Sequence, residues 1–160
     1  MSIPAYVGYA GLFAWIFLGE SGVPIFVPAE LALFAAGVAA AHHSASLGAV
    51  IALALAADVL GGLCLYSLVR FVHGRSGRLG RLERLIERAA DHAHKLGARS
   101  PMRVAAARCI PFLRISSALA AALAGLKLPA FTAALAIGGT VWVGVFLGAG
   151  FWFTREALHV

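Results

Sequence analysis

Two long apolar stretches of this 160-residue chain are interrupted in mid-run by prolines and charges. The first break runs from Glu20 to Glu30 and contains Pro24 and Pro28; the second runs from Arg108 to Arg114 and contains Pro111. On insertion scales a charge at the bilayer centre costs ~2.5–3.5 kcal/mol, so four such side chains left unpaired would cost on the order of 10–14 kcal/mol. That is comparable to the whole stability of a domain. Carboxylates at one break and arginines at the other must therefore meet one another or line a wet cavity that needs them.

The apolar character is general. Hydrophobic residues make up 61% of the chain and charged ones 12%, against roughly 45–50% and about 25% in soluble domains. This is the composition of an integral membrane protein, here a single domain with room for only a few passes. An enclosed pathway then calls for a second copy, and a homodimer is expected. No basic stretch precedes the apolar run that begins at Ile3, so the first residues do not read as a cleavable signal and are expected to remain in the mature protein. The net charge is +6, yet eight of the thirteen basic residues lie between Arg75 and Arg103. A basic block between apolar segments is the positive-inside signal, with affinity for anionic membrane lipids rather than nucleic acid. Cys64 and Cys109 sit in apolar segments without CxxC spacing and are expected as buried free thiols.

Residues 3–41 read as an apolar helix, a broken tip and a short return. A crossing needs ~20 residues, and 31–41 is about half of that. Helix in, broken tip and short helix out is a re-entrant hairpin, which is tolerated at depth only where protein or water covers its backbone. The alternative is one long helix kinked at Pro24 and Pro28. After the polar turn His42–Ser46, residues 47–72 form a transmembrane helix with Asp58 near its centre and Gly61-Gly62 placed for close helix approach. Residues 73–103 are basic and amphipathic, suited to the cytoplasmic membrane surface. Residues 104–126 repeat the hairpin around Pro111, and Lys127-Leu-Pro129 closes it. Residues 130–153 are a second uncharged span, with Trp142 near its centre and Trp152 and Arg155 as interfacial anchors.

The halves are alike: broken hairpin, then span. With the basic loop in the cytoplasm, the first hairpin enters from outside and the second from inside. The expected fold is an all-α integral membrane protein with two inverted re-entrant hairpins whose tips meet near the midplane, as in secondary transporters.

These residues resemble the DedA family, the bacterial relatives of the VTT-domain proteins. Glu20, Pro24, Pro28 and Glu30 match its Glu-x-x-x-Pro-x-x-x-Pro-x-Glu motif, and Asp58 with Tyr66 matches the following aspartate and tyrosine. Arg108, Ile110, Pro111, Arg114, Ala124 and Gly125 match the second motif, and Trp142 the tryptophan of the last span. The resemblance covers roughly 11–153. The chain is shorter than the usual member, and Ala57 stands where the family often has glycine. The resemblance implies translocation of undecaprenyl phosphate or phospholipid between leaflets of the bacterial cytoplasmic membrane, coupled to proton or sodium gradients.

Arginine offers phosphate a planar fork that keeps its charge, so Arg108 and Arg114 are the expected head-group ligands. Glu20, Glu30 and Asp58 are the expected counter-ions and carriers of coupling protons. Pro24, Pro28 and Pro111 shape the tips, and Gly125, Trp142 and Tyr66 pack near the site. No metal or cofactor is expected. A membrane enzyme would want a nucleophile beside a base, yet all six histidines lie in loops or near ends, and no enzymatic activity is expected. A non-transporting scaffold, with the charges as structural ion pairs, is the remaining alternative. Buried pairs are weak stabilisers, which argues against keeping so many for structure alone.

Overall fold

The computed structural model describes residues 5–23, 27–75, 97–110 and 113–158. Pro24, Pro111 and the centre of the expected amphipathic segment lie outside them. The described residues form six helices and no strand: α1 (Ala5–Glu20), α2 (Ala29–Ala41), α3 (Leu47–Arg75), α4 (Pro101–Arg108), α5 (Leu113–Leu123) and α6 (Leu128–Leu158). Two of them, over Leu47–Gly74 and Leu128–Ala157, are long and apolar enough to cross a membrane.

Several boundaries differ from the sequence reading. Helix α3 runs on to Arg75 and α4 opens at Pro101, so both ends of the basic 73–103 segment belong to the flanking helices. Pro129 lies in the first turn of α6 rather than closing the element before it. Proline fits there because its missing N–H would have no intrahelical partner. Cys64 and Cys109 are free thiols but exposed, which corrects the expectation of burial. In a membrane an apolar thiol gains little from leaving the surface.

The chain divides into two compact units. The first, Met1–Gly61 with Thr140–Val160, holds α1, α2, the first half of α3 and the second half of α6. Its core is Ile16, Leu33, Val50, Ala54, Ala57, Trp142, Val143 and Leu147. Helix α1 lies parallel to α3: the Tyr9 hydroxyl accepts the Ser46 N–H at 2.7 Å beside the start of α3, and the far end of α1 rests on Gly61. A Cβ on Gly61 would stand 2.7 Å from both Glu20 Cβ and Phe17 O. Gly61 is the fifteenth of 29 residues in α3, so α1 reaches only half its length. Helix α2 returns beside α6, crossing it where Gly37 meets Leu147 O and Gly150 meets Phe34 O. Only glycine lets two backbones approach so closely.

The second unit, Gly62–Gly139, holds α4, α5, the second half of α3 and the first half of α6. Within it α3 and α6 run antiparallel, since Tyr66 stacks on Phe131 at 4.5 Å and Gly62 faces Leu135. Helix α4 is parallel to the start of α6. It begins beside Ala124, where Arg99 Nε donates to the carbonyl at 2.9 Å, and ends on Gly138. A Cβ on Gly138 would come 2.8 Å from Arg108 Cβ and 2.9 Å from Ala105 O. Helix α5 turns Arg114, Ser117, Ala118, Ala121 and Ala122 inward, a stripe of helical period. The two units are thus built on one plan: a short helix beside the first half of a long one, a break, and a second short helix.

Candidate functional site

The first short helix of each unit ends on a charged residue, and each of those residues rests on a glycine of a long helix. Glu20 is the last residue of α1 and is 5% exposed; Arg108 is the last of α4 and fully buried. Their surroundings differ electrostatically. A helix C-terminus carries partial negative charge, which favours Arg108 and opposes Glu20. Glu20 therefore occupies a place that costs free energy on two counts, burial and dipole. Asp58, also fully buried, lies one turn before Gly61 on α3 and so on the same face.

Beyond each break the next helix presents its N-terminal peptide dipoles. In the first unit α2 follows Pro28 and carries Glu30 in its first turn. That carboxylate suits the positive helix end. Its Oε1 accepts a hydrogen bond from Trp142 Nε1 at 3.3 Å, and Trp142 is buried. The break itself is tied to α1 by Trp15 Nε1, which donates to Val27 O at 3.2 Å. In the second unit the equivalent helix, α5, has no acidic residue in its first turn. It has Arg114 instead, 4% exposed.

Arg108 and Arg114 are joined across their break. Arg108 Nη1 donates to Arg114 O at 3.4 Å, and Arg114 Nη1 donates to Arg108 O at 3.5 Å. Both bonds are long, at the outer edge of useful geometry. Ser117 Oγ donates to the same Arg114 carbonyl at 2.8 Å.

Glu20, Glu30, Asp58 and Trp142 therefore belong to the first unit, and Arg108, Arg114, Tyr66 and Gly125 to the second; Tyr66 and Gly125 lie at the turn between α5 and α6. Among the described residues the second unit has seven arginines and lysines and no carboxylate, whereas the first has four carboxylates and one arginine. Tyr66 donates its hydroxyl to Leu126 O, and Gly125 takes φ +72° in the turn before α6. The first unit also encloses an apolar groove of about 630 Å³ between α1, α2 and the start of α3. Among the described residues no three His, Cys, Asp or Glu side chains gather as a metal site would require.

Three relationships escaped the sequence reading. Gly61 and Gly138 were legible as packing glycines, but not as the seats of Glu20 and Arg108. The Trp142 indole was expected to pack; that it donates to Glu30, 112 residues away, had no local signal. Arg70, which lies over Tyr66, follows that motif tyrosine by one helical turn, the only hint of its place.

A family model for the VTT domain matches residues 27–151. No curated protein and no solved structure matches the chain. The match takes in Glu30, Asp58, Arg108, Arg114 and Trp142, and with it the chain belongs to the DedA family of membrane proteins, of which the VTT domain is the defining element.

Proposed function

We propose that this protein moves a phosphate-bearing lipid, undecaprenyl phosphate in the first instance, between the leaflets of the bacterial cytoplasmic membrane. The observation that carries the proposal is the contrast between the two equivalent half-helices. At the break of the first unit the N-terminus of α2 brings its own anion, Glu30. At the break of the second, the N-terminus of α5 brings Arg114, with Arg108 clipped to it. A helix N-terminus flanked by two buried guanidinium groups is a place for an anion supplied from outside. Arginines at membrane depth are rare and mark substrate pathways. Arginine matches phosphate with two parallel N–H bonds, which makes it the better residue for the task than lysine.

In this reading both helix–break–helix elements are re-entrant hairpins, inverted relative to each other, with their tips near the midplane of a multi-pass protein. The half-length of α1 beside α3 supports it, as does the stop of α4 at Gly138, the eleventh of 31 residues in α6. Glu20, Glu30 and Asp58 act as counter-ions to the arginines between transport events and as the carriers of coupling protons. The hydrocarbon tail stays in lipid while the head group passes the tips. The protein is a translocator and not an enzyme, and a second copy completes the pathway.

The test is transbilayer movement in liposomes holding the purified protein, with labelled undecaprenyl phosphate and glycerophospholipid compared with and without a pH gradient. Faster movement of the polyprenyl phosphate, dependent on the gradient, is expected. Equal, gradient-independent movement of both lipids would make the protein a scramblase, and movement of neither would leave a scaffold.

A further inference from the structure

The turn between α5 and α6 is gripped by three side chains of its own unit. Arg99 donates Nε to Ala124 O at 2.9 Å, and the Tyr66 hydroxyl donates to Leu126 O. The Arg70 guanidinium lies over the Tyr66 ring, 5.9 Å from its centroid. Its Nη1 stands 3.6 Å from the point a Cβ on Gly125 would occupy. Gly125 has φ +72°, a left-handed conformation that glycine supplies without strain.

Two positive charges therefore converge on a three-residue turn, where Ala124 O accepts from Arg99. Lys127 follows immediately, and all three basic side chains are exposed. No described residue of this unit is a carboxylate. Like charges gathered together repel one another, and an anion from outside removes that cost. The donors are also prepared for one. A guanidinium covered on its face by an aromatic ring keeps its N–H groups in the plane. Arg99 commits only Nε to the turn, one of the five N–H donors of its guanidinium. Tyr66 is fixed by its own hydrogen bond and stacks on Phe131, so Arg70 rests on a rigid platform and loses little entropy on binding.

Depth identifies the anion. Arg70 lies 23 residues beyond Leu47, about 34 Å along α3 at 1.5 Å per residue, whereas the hydrocarbon core is about 30 Å thick. Lys127 stands just before the candidate span of α6. With α3 crossing the bilayer, the turn lies at the level of the lipid head groups. Arg108 is at the far end of α4, seven residues or about 10 Å from its start.

We propose that Arg70 and Arg99, held on the Ala124–Leu126 turn, form a docking site for the phosphate of an anionic lipid head group at the membrane face, separate from Arg108 and Arg114. The proposal does not depend on translocation.

The test measures binding of fluorescent phosphatidylglycerol and phosphatidylcholine to the purified full chain in detergent, with inorganic phosphate as competitor. The wild type should prefer phosphatidylglycerol by about tenfold or more, the worth of one charge-assisted hydrogen bond. The preference should survive Arg155→Gln, an exposed arginine of the other unit, fall at least about tenfold in the Arg70→Gln, Arg99→Gln double variant, and persist in millimolar inorganic phosphate. An unchanged preference in the folded double variant would overturn the site, and displacement by millimolar phosphate would overturn its assignment to a lipid. Should the glutamine pair not fold, Arg70→Lys with Arg99→Lys decides. That pair keeps the charge and loses the fork, so a severalfold loss supports the site and wild-type affinity contradicts it.

Discussion

Arg108 and Arg114 each give an Nη1 hydrogen bond to the other's backbone carbonyl, at 3.4 and 3.5 Å, across the break between α4 and α5. The arrangement couples two guanidinium groups that would otherwise repel, and it places both at the end of one helix and the start of the next. Because both bonds are long, they are weak enough to be exchanged for stronger ones to a ligand oxygen.

The first prediction concerns the glycine seats. In Gly138→Ala the new methyl would stand 2.8 Å from Arg108 Cβ and 2.9 Å from the Ala105 carbonyl, too close for either to remain. Overpacking of this kind costs about 1–3 kcal/mol, so thermal unfolding in detergent should occur several degrees lower and lipid-phosphate binding should weaken. Gly61→Ala should produce a similar loss of stability through Glu20 Cβ and Phe17 O. Gly144→Ala, which has open space at its Cβ position, is the control and should leave both measurements unchanged.

Trp142→Phe removes the indole N–H and keeps an aromatic ring in the core. It leaves Glu30 without the 3.3 Å bond; hydrogen bonds to charged groups contribute about 1.5–3 kcal/mol, and stability should fall by roughly that amount. In a Glu30→Gln background the same substitution should cost clearly less, because the charged acceptor is gone. Equal costs in the two backgrounds would show that Trp142 acts by packing alone.

Topology follows from the distribution of basic residues. The 73–103 segment should be cytoplasmic and the His42–Ser46 turn external. Ser44 is exposed, and a cysteine placed there in a background lacking Cys64 and Cys109 should react with an impermeant reagent in intact cells. Labelling only after lysis would invert the orientation.

The breaks, the spans and the five charged candidates were legible in the sequence because each carries a local penalty. A proline removes a helical hydrogen bond and a charge in lipid must be compensated, whatever lies elsewhere in the chain. The pairing of elements was not legible. Ala and Gly occur on every face of α3 and α6, so the pattern does not reveal that Gly61 receives Glu20 while Gly62, the next residue, faces Leu135 in the other unit. The cysteines misled for a related reason. In lipid an apolar side chain has little drive to be inside, so apolar character did not predict the burial of Cys64. Pro129 was read as a terminator, although proline is equally at home in a first helical turn.

The central claim is that Arg108 and Arg114 grip a phosphate, and lysine substitution tests it most directly. Lysine keeps the charge but lacks the two-pronged fork. We expect Arg108→Lys and Arg114→Lys to fold normally and to bind the lipid phosphate roughly ten- to a hundredfold more weakly, as the loss of one prong predicts. Translocation in liposomes should fall with binding. Near-wild-type transport by both lysine variants would contradict the account and leave the arginines as counter-ions rather than phosphate ligands.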